Sequence, residues 1–510
     1  MAQNTLQGSS NFYNAAVDLI ERNLREGVAQ KLAFIDDQGS ITYAALSERV
    51  NRCTNALRAM GLQHEDRIMI AMLDSIDWPT VFLGAIKAGV VPVCVNTQLK
   101  PLDYAYMLSD SRVKALFVSD ELWPAMSDVA KNVTNLPFLK HIVSPAQLKD
   151  ALAYASTNTE AACTQADEAC FWLYSSGSTG SPKGTVHVHR SLIATADLYA
   201  SPVLGIKQSD VVFSAAKLFF AYGLGNGLTF PMAVGATAVL MAERPTPDAV
   251  FKRIAEHRAS IFYGVPTLYA AMLGSSNFPA KDQHQLRVCT SAGEALPEQI
   301  GKRFTELTGV EILDGIGSTE MLHIFLSNSP GQVRYGTTGK AVPGYDLKLA
   351  GEDGSEVAVG EIGDLYIRGA SAAQGYWNQR EKSRNTFHGE WTKSGDKYSV
   401  DADGYYTYAG RSDDMLKVSG QYVSPFEVES AIATHPSVFE AAVVGMEDAE
   451  HLIKPKAFVV LKPAASLTED ELKQHVKAKL APFKYPRWVE FVAELPKTAT
   501  GKIQRFKLRS

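Results

Sequence analysis

The stretch Arg67-Ile-Met-Ile-Ala-Met-Leu-Asp-Ser-Ile-Asp-Trp-Pro-Thr-Val-Phe-Leu-Gly-Ala-Ile-Lys-Ala-Gly-Val-Val-Pro-Val-Cys-Val95 decides the fold. Arg67–Met72 reads as a strand, Trp78–Ala88 as a helix and Val90–Val95 as a second strand. A strand, a helix and a strand in so short a span make a parallel crossover unit. The same rhythm extends outward. Tyr43–Met60 sets Leu46, Val50, Ala56 and Leu57 at helical spacing and stops at Gly61. Leu102–Ser109 reads as a helix and Ala115–Val118 as a strand. Similar apolar strands follow at Ala236–Met241, Ser260–Tyr263, Arg287–Ser291 and Glu311–Asp314. Alternation of this kind predicts an α/β fold of parallel sheets sandwiched by helices. Its loops at the strand C-termini are the places where ligands sit.

The texture changes twice further along. Gly336–Arg368 has short strands and turn pairs such as Glu352-Asp-Gly354, the mark of a small β-rich subdomain. Beyond Gly410, Glu427–Thr434 reads as a helix, Ala441–Gly445 and Ala457–Lys462 as strands, and Glu469–Lys479 as a helix. That predicts a small α+β domain at the end of a chain of 510 residues, too long for one core, since single cores stop growing near ~250–300 residues.

Composition removes several function classes. With 46% hydrophobic and 21% charged residues the chain is globular rather than disordered or fibrous. A net charge of -5 leaves no basic footprint for nucleic acid. The five cysteines form no C-x-x-C pair, and an odd, scattered set suits a reducing cytoplasm. Met-Ala-Gln-Asn-Thr at the N-terminus lacks the basic and apolar regions of a signal peptide. Leu218–Ala242 carries no charge, yet Gly223, Gly225, Gly227, Gly235, Asn226 and Pro231 make it a poor membrane span. It reads instead as a buried helix after Gly223, a break at Pro231–Gly235 and a buried strand. No membrane partner is expected.

Chemistry enters after Phe171–Tyr174, a buried strand that runs into Ser175-Ser-Gly-Ser-Thr-Gly-Ser-Pro-Lys-Gly184. The hydroxyls of Ser175, Ser176, Ser178 and Thr179, the amides of Gly177 and Gly180, and the ammonium of Lys183 are what a polyphosphate needs. Glycines let backbone N–H groups approach phosphate oxygens, and lysine supplies a point charge. This is not a Walker loop, which needs Ser or Thr after Gly-Lys. The Gly-Lys pairs at 301–302, 339–340 and 501–502 are followed by Arg, Ala and Ile. Gly223-x-Gly225-x-Gly227 has the wrong spacing for a dinucleotide fingerprint. His187-Val-His189 looks like a metal pair, but its place just after the loop makes it structural.

Tyr174–Gly184 resembles the phosphate loop of the adenylate-forming superfamily, which includes acyl- and aryl-CoA ligases, luciferases and peptide-synthetase adenylation domains. Five further motifs stand in the family's order, so the resemblance covers essentially the whole chain. The resemblance implies that Ser291-Ala292-Gly293-Glu294 lies along the adenine. In Asp314-Gly315-Ile316-Gly317-Ser318-Thr319-Glu320 it implies that Thr319 contacts the α-phosphate of ATP and Glu320 holds Mg²⁺. It implies that Asp396, in Trp391-Thr-Lys-Ser-Gly-Asp396, binds the ribose with Arg411, and that Tyr408 stands nearby. Gly410–Gly420 resembles the hinge, at Asp413, and the first lid loop. There the resemblance implies that Lys417 and Gly420 border the pantetheine tunnel for coenzyme A. Pro496-Lys-Thr-Ala-Thr-Gly-Lys502 matches the terminal motif, whose last lysine reaches the nascent acyl phosphate. The implied division is an adenylation domain over 1–412, with two helix-sandwiched sheets and the β-rich subdomain, and a mobile lid over 413–510.

The acid pocket is read from Ser214–Asn226, Tyr263–Tyr269 and His323–Phe325, which resemble benzoate–CoA ligases. Ala221, Tyr222, His323 and Ile324 would wall a flat pocket closed by backbone at 291–293 and 315–317, Gly317 included. Flat apolar walls favour an aromatic ring, here a small aromatic carboxylic acid such as benzoate or a substituted benzoate. Tyr222 reads as a pocket wall, with ordinary core packing as the alternative. Phe219 and Phe220 read as gates or core. The alternatives are an adenylating enzyme for another small acid, a carrier-protein-loading enzyme, a luciferase-like oxygenase, and a non-catalytic acyl-nucleotide binder. Joint retention of Lys502, Glu320 and Asp396 speaks against the binder. The resemblance adds two expectations about partners, a homodimer and a lysine acetyltransferase acting on Lys502.

Overall fold

Residues 67–95 form the expected unit: strands Arg67–Ala71 and Val91–Cys94 pair in parallel, with Arg67 opposite Val91 and Ile70 opposite Cys94. Helix Asp77–Ala88 crosses between them, and every residue from Trp78 to Ala88 is buried. A helix apolar on all sides needs cover on all sides. The long helix Tyr43–Ala59 supplies part of it. The computed structural model describes residues 12–132, 136–175, 182–412, 414–418, 421–449, 452–481, 483–497 and 503–509.

The chain divides into two compact units. The first comprises Met1–Tyr335, Ala341–Asp346 and Arg368–Thr392. It holds two sheets. One is ordered Gly375–Tyr376, Lys183–Val188, Ala169–Ser175, Val91–Cys94, Arg67–Ala71, Ala115–Val118 and His141–Val143. Its last five strands are parallel, and its first two junctions are antiparallel. Eight of the nine strands of the other run Ile324–Ser327, Ile312–Gly317, Val288–Ser291, Ile261–Gly264, Val211–Ser214, Thr237–Val239, Leu32–Asp36 and Gly39–Thr42. Among these eight only the first and last junctions are antiparallel. Against it pack Phe251, Tyr269 and Phe304 from helices Pro247–Glu256, Pro266–Leu273 and Glu298–Thr308. Tyr269 meets Phe304 edge to face at 5.1 Å and Phe262 at 5.7 Å. Such pairs add about 0.5–1.5 kcal/mol each beyond area burial.

The second unit comprises Gly336–Lys340, Leu347–Ile367 and Lys393–Ser510. It contains the antiparallel ribbon of residues 396–400 with Tyr406–Arg411, in which Asp396 faces Arg411. It also contains an α+β layer. Val438–Glu447 is antiparallel to Ile453–Leu461, which is parallel to Trp488–Phe491. Helices Pro425–Ala433 and Glu469–Lys477 bury Val428, Ile432, Leu472 and Val476 on one side of it. Thr468 and Glu471 form a reciprocal cap at the start of the latter helix. Acids fill its first turn, and His475 and Lys477 its last, as the helix dipole favours.

One local expectation differs. The charge-free segment 218–242 does not break at Pro231. Helix Ala221–Leu224 continues through a π turn, Gly225–Thr229, into helix Phe230–Val234, and stops only at Gly235, whose φ is 72°. A wider turn just before Pro231 accommodates a ring that lacks the N–H donor and would crowd an ordinary helical turn. The strand that follows is Thr237–Val239, inside the expected range. Among the described residues no helix is long and apolar enough to cross a membrane.

Candidate functional site

In the first unit the expected residues gather at the ends of strands. Ala169–Ser175 ends at Ser175, and Lys183 opens its antiparallel neighbour, opposite Ser175. Val288–Ser291 delivers Ser291 and then Ala292, Gly293 and Glu294. Ile312–Gly317 delivers Thr319 and Glu320. Ser214 is level with Tyr263, and Gly264 with Ser291, which is level with Asp314. Three adjacent parallel strands thus stop at one level, the fourth runs on three residues to Gly317, and together they release the segments in question at the usual ligand edge of an open α/β sheet.

Lys183 and Glu320 meet there. Lys183 Nζ lies 3.8 Å from Glu320 Oε1. Between them stands Tyr376, whose hydroxyl donates to Glu320 Oε1 at 2.7 Å and accepts from Lys183 Nζ at 3.2 Å. Lys183 Nζ is also 4.3 Å from the centre of the Tyr376 ring. The Glu320 carbonyl accepts from Ala373 N at 2.8 Å. One residue earlier, the Thr319 carbonyl accepts from His187 Nε2 at 2.8 Å. A carbonyl only accepts, so Nε2 carries the proton. Burial pulls the His187 pKa down to about 4, which keeps the ring neutral. The ring stacks on Phe171 at 5.1 Å. Ser318 Oγ accepts from Met321 N at 3.1 Å and closes the turn.

The same stretch continues into the aromatic wall. His323 is buried, and burial lowers its pKa to about 3, so it is neutral. Its Nε2 is 3.1 Å from Asn226 Oδ1 and 3.2 Å from the Tyr222 carbonyl, both acceptors, so this nitrogen holds the hydrogen. The ring is 4.4 Å from that of Phe230, 5.5 Å from Tyr222 and 5.6 Å from Tyr199. Tyr222 and Thr290 share a hydrogen bond of 2.5 Å between their hydroxyls. Burial holds the Tyr222 phenol well above its ordinary pKa. Ile324 is buried, while Ala221 is half-buried. A Cβ on Gly225 would stand 2.3 Å from His323 Cδ2, so His323 occupies the space a side chain would need. This wall is apolar in its ring faces, and His323 Nε2 and the Tyr222 hydroxyl are tied to their own neighbours.

The adenine segments divide by exposure. Ser291 and Ala292 are buried, Gly293 and Glu294 exposed, and residues 316–320 half-buried. Burial pushes the Asp314 carboxyl well above its ordinary pKa. In the second unit, Arg411 Nη1 donates to Asp396 Oδ1 at 3.1 Å. Tyr408 packs 5.4 Å from Tyr398 and 5.3 Å from Phe426, and burial and the Asp396 charge raise its phenol. Lys417 pairs with Tyr422 in the hairpin Leu416–Val418 with Gln421–Val423. Ser176, Gly177, Ser178, Thr179 and Gly180 of the loop, Asp413, Gly420 and Lys502 lie outside the described residues.

Among the described residues no group of three or more His, Cys, Asp and Glu could cage a metal. A single half-buried carboxylate, Glu320, suits Mg²⁺, which keeps several waters and takes its other oxygens from phosphates. His187 and His189 are not a pair of ligands: the first holds Thr319, and His189 Nδ1 accepts from Ala15 N at 3.2 Å. Sequence reasoning missed Tyr376, and it assigned His187 no task at the site. A Gly375-Tyr-Trp377 triplet between loops was the sole available signal for the tyrosine.

Comparison with known proteins follows the same residues. Residues 20–377 match the AMP-binding enzyme family, and residues 427–502 match the AMP-binding enzyme C-terminal domain. The chain is 62% identical over 508 residues to a benzoate–CoA ligase of Thauera aromatica, covering 98% of this chain and 96% of that protein. A crystal structure of a benzoate CoA ligase from Burkholderia xenovorans LB400 superposes with a TM-score of 0.91 at 55% identity, covering 98% and 100% of the two chains. An anthranilate CoA ligase solved with anthranoyl-AMP gives 0.92 at 46% identity, covering 98% and 97%.

Proposed function

The chain belongs to the AMP-binding enzyme family, and from that premise we infer that it is an ATP-dependent, AMP-forming ligase joining benzoate or a small substituted benzoate to coenzyme A. The observation that carries this reading is the continuity of Asp314–Ile324. One short stretch presents Thr319 and Glu320 beside Lys183, and then His323 and Ile324 in an aromatic wall.

A carboxylate is a poor electrophile. Its oxygen attacks the α-phosphorus of ATP, the bond to the bridging oxygen breaks, and pyrophosphate leaves with the electron pair. The product is an acyl-adenylate. The sulfur of coenzyme A then attacks the acyl carbon, AMP departs, and the thiol proton is lost to solvent. The carboxylate is already ionised, so the first step needs no general base; its demands are positioning and charge stabilisation. Lys183 and the 175–184 loop would hold the departing phosphates, Thr319 the α-phosphate, and Lys502 the developing charge. Mg²⁺, when bound at Glu320, supplies charge neutralisation on the phosphates. Ser291–Glu294 and Asp314–Ser318 would flank the adenine, and Asp396 with Arg411 the ribose, supported by their direct hydrogen bond. Ala221, Tyr222, Gly317, His323 and Ile324 would line the acid site.

The division into an adenylating region, 1–412, and a lid, 413–510, hinged at Asp413, is supported by the two separate family matches that bracket it. Lys417 and Gly420 would serve coenzyme A after lid rotation. Cytoplasmic placement is supported by five cysteines that are all free thiols. A homodimer and an acetyltransferase that neutralises Lys502 belong to the same proposal, the latter motivated by the Pro-Lys-x-x-x-Gly-Lys context. The test is ATP–pyrophosphate exchange dependent on benzoate, followed by addition of coenzyme A and detection of benzoyl-CoA and AMP. Exchange without thioester would leave an adenylating enzyme for another acceptor; no exchange with any of a panel of aryl acids would refute the reading.

A further inference from the structure

Tyr376 lies in sequence far from both groups it touches, and it is held in place by many bonds. The two-residue strand Gly375–Tyr376 pairs antiparallel with Lys183–Val188, with Tyr376 opposite Thr185. Trp377 N donates to the Gly184 carbonyl at 2.8 Å, and Gln374 N to Val186 at 2.9 Å. Ala373 N donates to the Glu320 carbonyl at 2.8 Å. Ser383 Oγ accepts from Tyr376 N at 2.9 Å. Residues 373–377 thus stitch the backbone after the phosphate loop to the backbone of Glu320. The Tyr376 side chain repeats that connection, hydroxyl to carboxylate and ammonium to hydroxyl.

We propose that Tyr376 is a positioning residue for the metal–nucleotide site, a phenol that aims the Glu320 carboxylate and keeps Lys183 from closing onto it. The charge arrangement requires such a spacer. Lys183 and Glu320 are opposite charges, both less than one-fifth exposed, standing 3.8 Å apart. With no group between them, an ammonium and a carboxylate at this range close to a direct contact of about 2.8 Å. That contact would occupy at once the carboxylate a divalent cation needs and the cation a phosphate needs. The phenol offers each a weaker, directional partner. Its O–H fixes one Glu320 oxygen by a charge-assisted bond. Its oxygen and ring face hold Lys183 loosely enough to turn to phosphate. The inference rests on the assignment of Glu320 to the metal.

The experiment compares wild-type enzyme with Tyr376→Phe, which keeps the ring and removes the hydroxyl. Mn²⁺ replaces Mg²⁺, and a non-hydrolysable methylene analogue of ATP is the nucleotide. Paramagnetic resonance of free Mn²⁺ reads binding without turnover. The expected result is a rise in the Mn²⁺–nucleotide Kd of about tenfold, the effect of one charge-assisted hydrogen bond. KM for ATP rises by a similar factor, while kcat changes by no more than about threefold. Thermal midpoint and near-ultraviolet dichroism stay as in the wild type. Ser383→Ala, which removes the hydroxyl that accepts from Tyr376 N and leaves the Tyr376 side chain intact, shifts Kd in the same direction by less. In the Glu320→Gln background, Tyr376→Phe adds nothing further to Kd. Unchanged Mn²⁺ affinity in Tyr376→Phe, a loss confined to kcat, or full additivity with Glu320→Gln would each overturn the proposal. Absence of benzoate-dependent exchange by the wild type would instead refute the ligase reading, and the Mn²⁺ comparison still decides the role of Tyr376.

Discussion

Replacing Gly225 by alanine tests the aromatic wall directly. The new Cβ would lie 2.3 Å from His323 Cδ2, 2.7 Å from its Nε2 and 3.0 Å from Phe230 Cζ. Contacts between carbons settle near ~3.5–4.0 Å, so the ring must retreat by about 1 Å or more. The rings of Tyr222 and Tyr199 also pack about it, at 5.5 and 5.6 Å, and leave it little room to move. Overpacking of this kind costs about 1–3 kcal/mol. Displacement also breaks the bonds from Nε2 to Asn226 and Tyr222, each worth about 1 kcal/mol. Alanine returns about 1 kcal/mol through its better helical propensity. The net expectation is a loss of about 3 kcal/mol, with a rise in KM for benzoate and little change in KM for ATP. Urea unfolding gives the first quantity and initial-rate kinetics the second. A variant as stable as the wild type, with KM for benzoate unchanged, would show that His323 does not fill the space beside Gly225.

Three further outcomes follow from other parts of the chain. Lys502→Ala should nearly abolish adenylate formation yet spare thiolysis of supplied benzoyl-adenylate; equal loss in both half-reactions would remove Lys502 from its assigned place. Arg505 donates to both oxygens of buried Glu429 at 3.0 and 2.7 Å. Arg505→Met leaves that carboxylate uncompensated and should destabilise the second unit by about 3 kcal/mol, read as an earlier unfolding transition in urea. The third concerns acid stability. His187 and His189 are held near pKa 4, and His323 near 3, from an ordinary 6.5. Their folded values are depressed, so the unfolded chain binds more protons as pH falls below 6.5. Stability is therefore full above about pH 7 and falls toward pH 4, by about 2 kcal/mol per histidine at pH 5. Asp74, raised to about 6 by burial, and Asp314, raised well above its ordinary value, act in the opposite sense and offset part of the loss. His187→Gln should flatten the slope measured by urea midpoints from pH 7 to 5; an unchanged slope would refute the buried-neutral assignment.

Much of the fold was legible because its signals are local. Helix Asp77–Ala88 and strands Arg67–Ala71, Val91–Cys94 and Ala115–Val118 fall where apolar runs and stops place them. Pro231 misled because its usual effect is local, whereas the π turn that accommodates it is built from the five residues ahead. At the site, motifs with several residues in a row were readable: 175–184, 291–294, 314–320. Tyr376 was not, because its meaning is wholly tertiary. Nothing within ten positions of it in the chain carries the charges it touches.

The same distinction explains His187. Read along the chain, His187-Val-His189 suggests two ligands for one metal, and on a strand alternate residues do share a face. The fold sends each ring to a different partner, Thr319 for one and Ala15 for the other. Neutrality is what makes His187 useful there. Protonated, it would place a cation beside Lys183 and Glu320, and its Nδ1, which has no hydrogen-bond partner among the described residues, would become a buried unpaired donor. Burial against Phe171 prevents this, and Nε2–H remains as a fixed donor to the Thr319 carbonyl. The two residues that hold the Thr319–Glu320 backbone and the Glu320 carboxylate, His187 and Tyr376, thus come from the two antiparallel strands at one end of the sheet that also carries Lys183. On the proposed reading, that arrangement ties Lys183 and Glu320 to the same pair of strands, so that a nucleotide would meet charges already spaced for it.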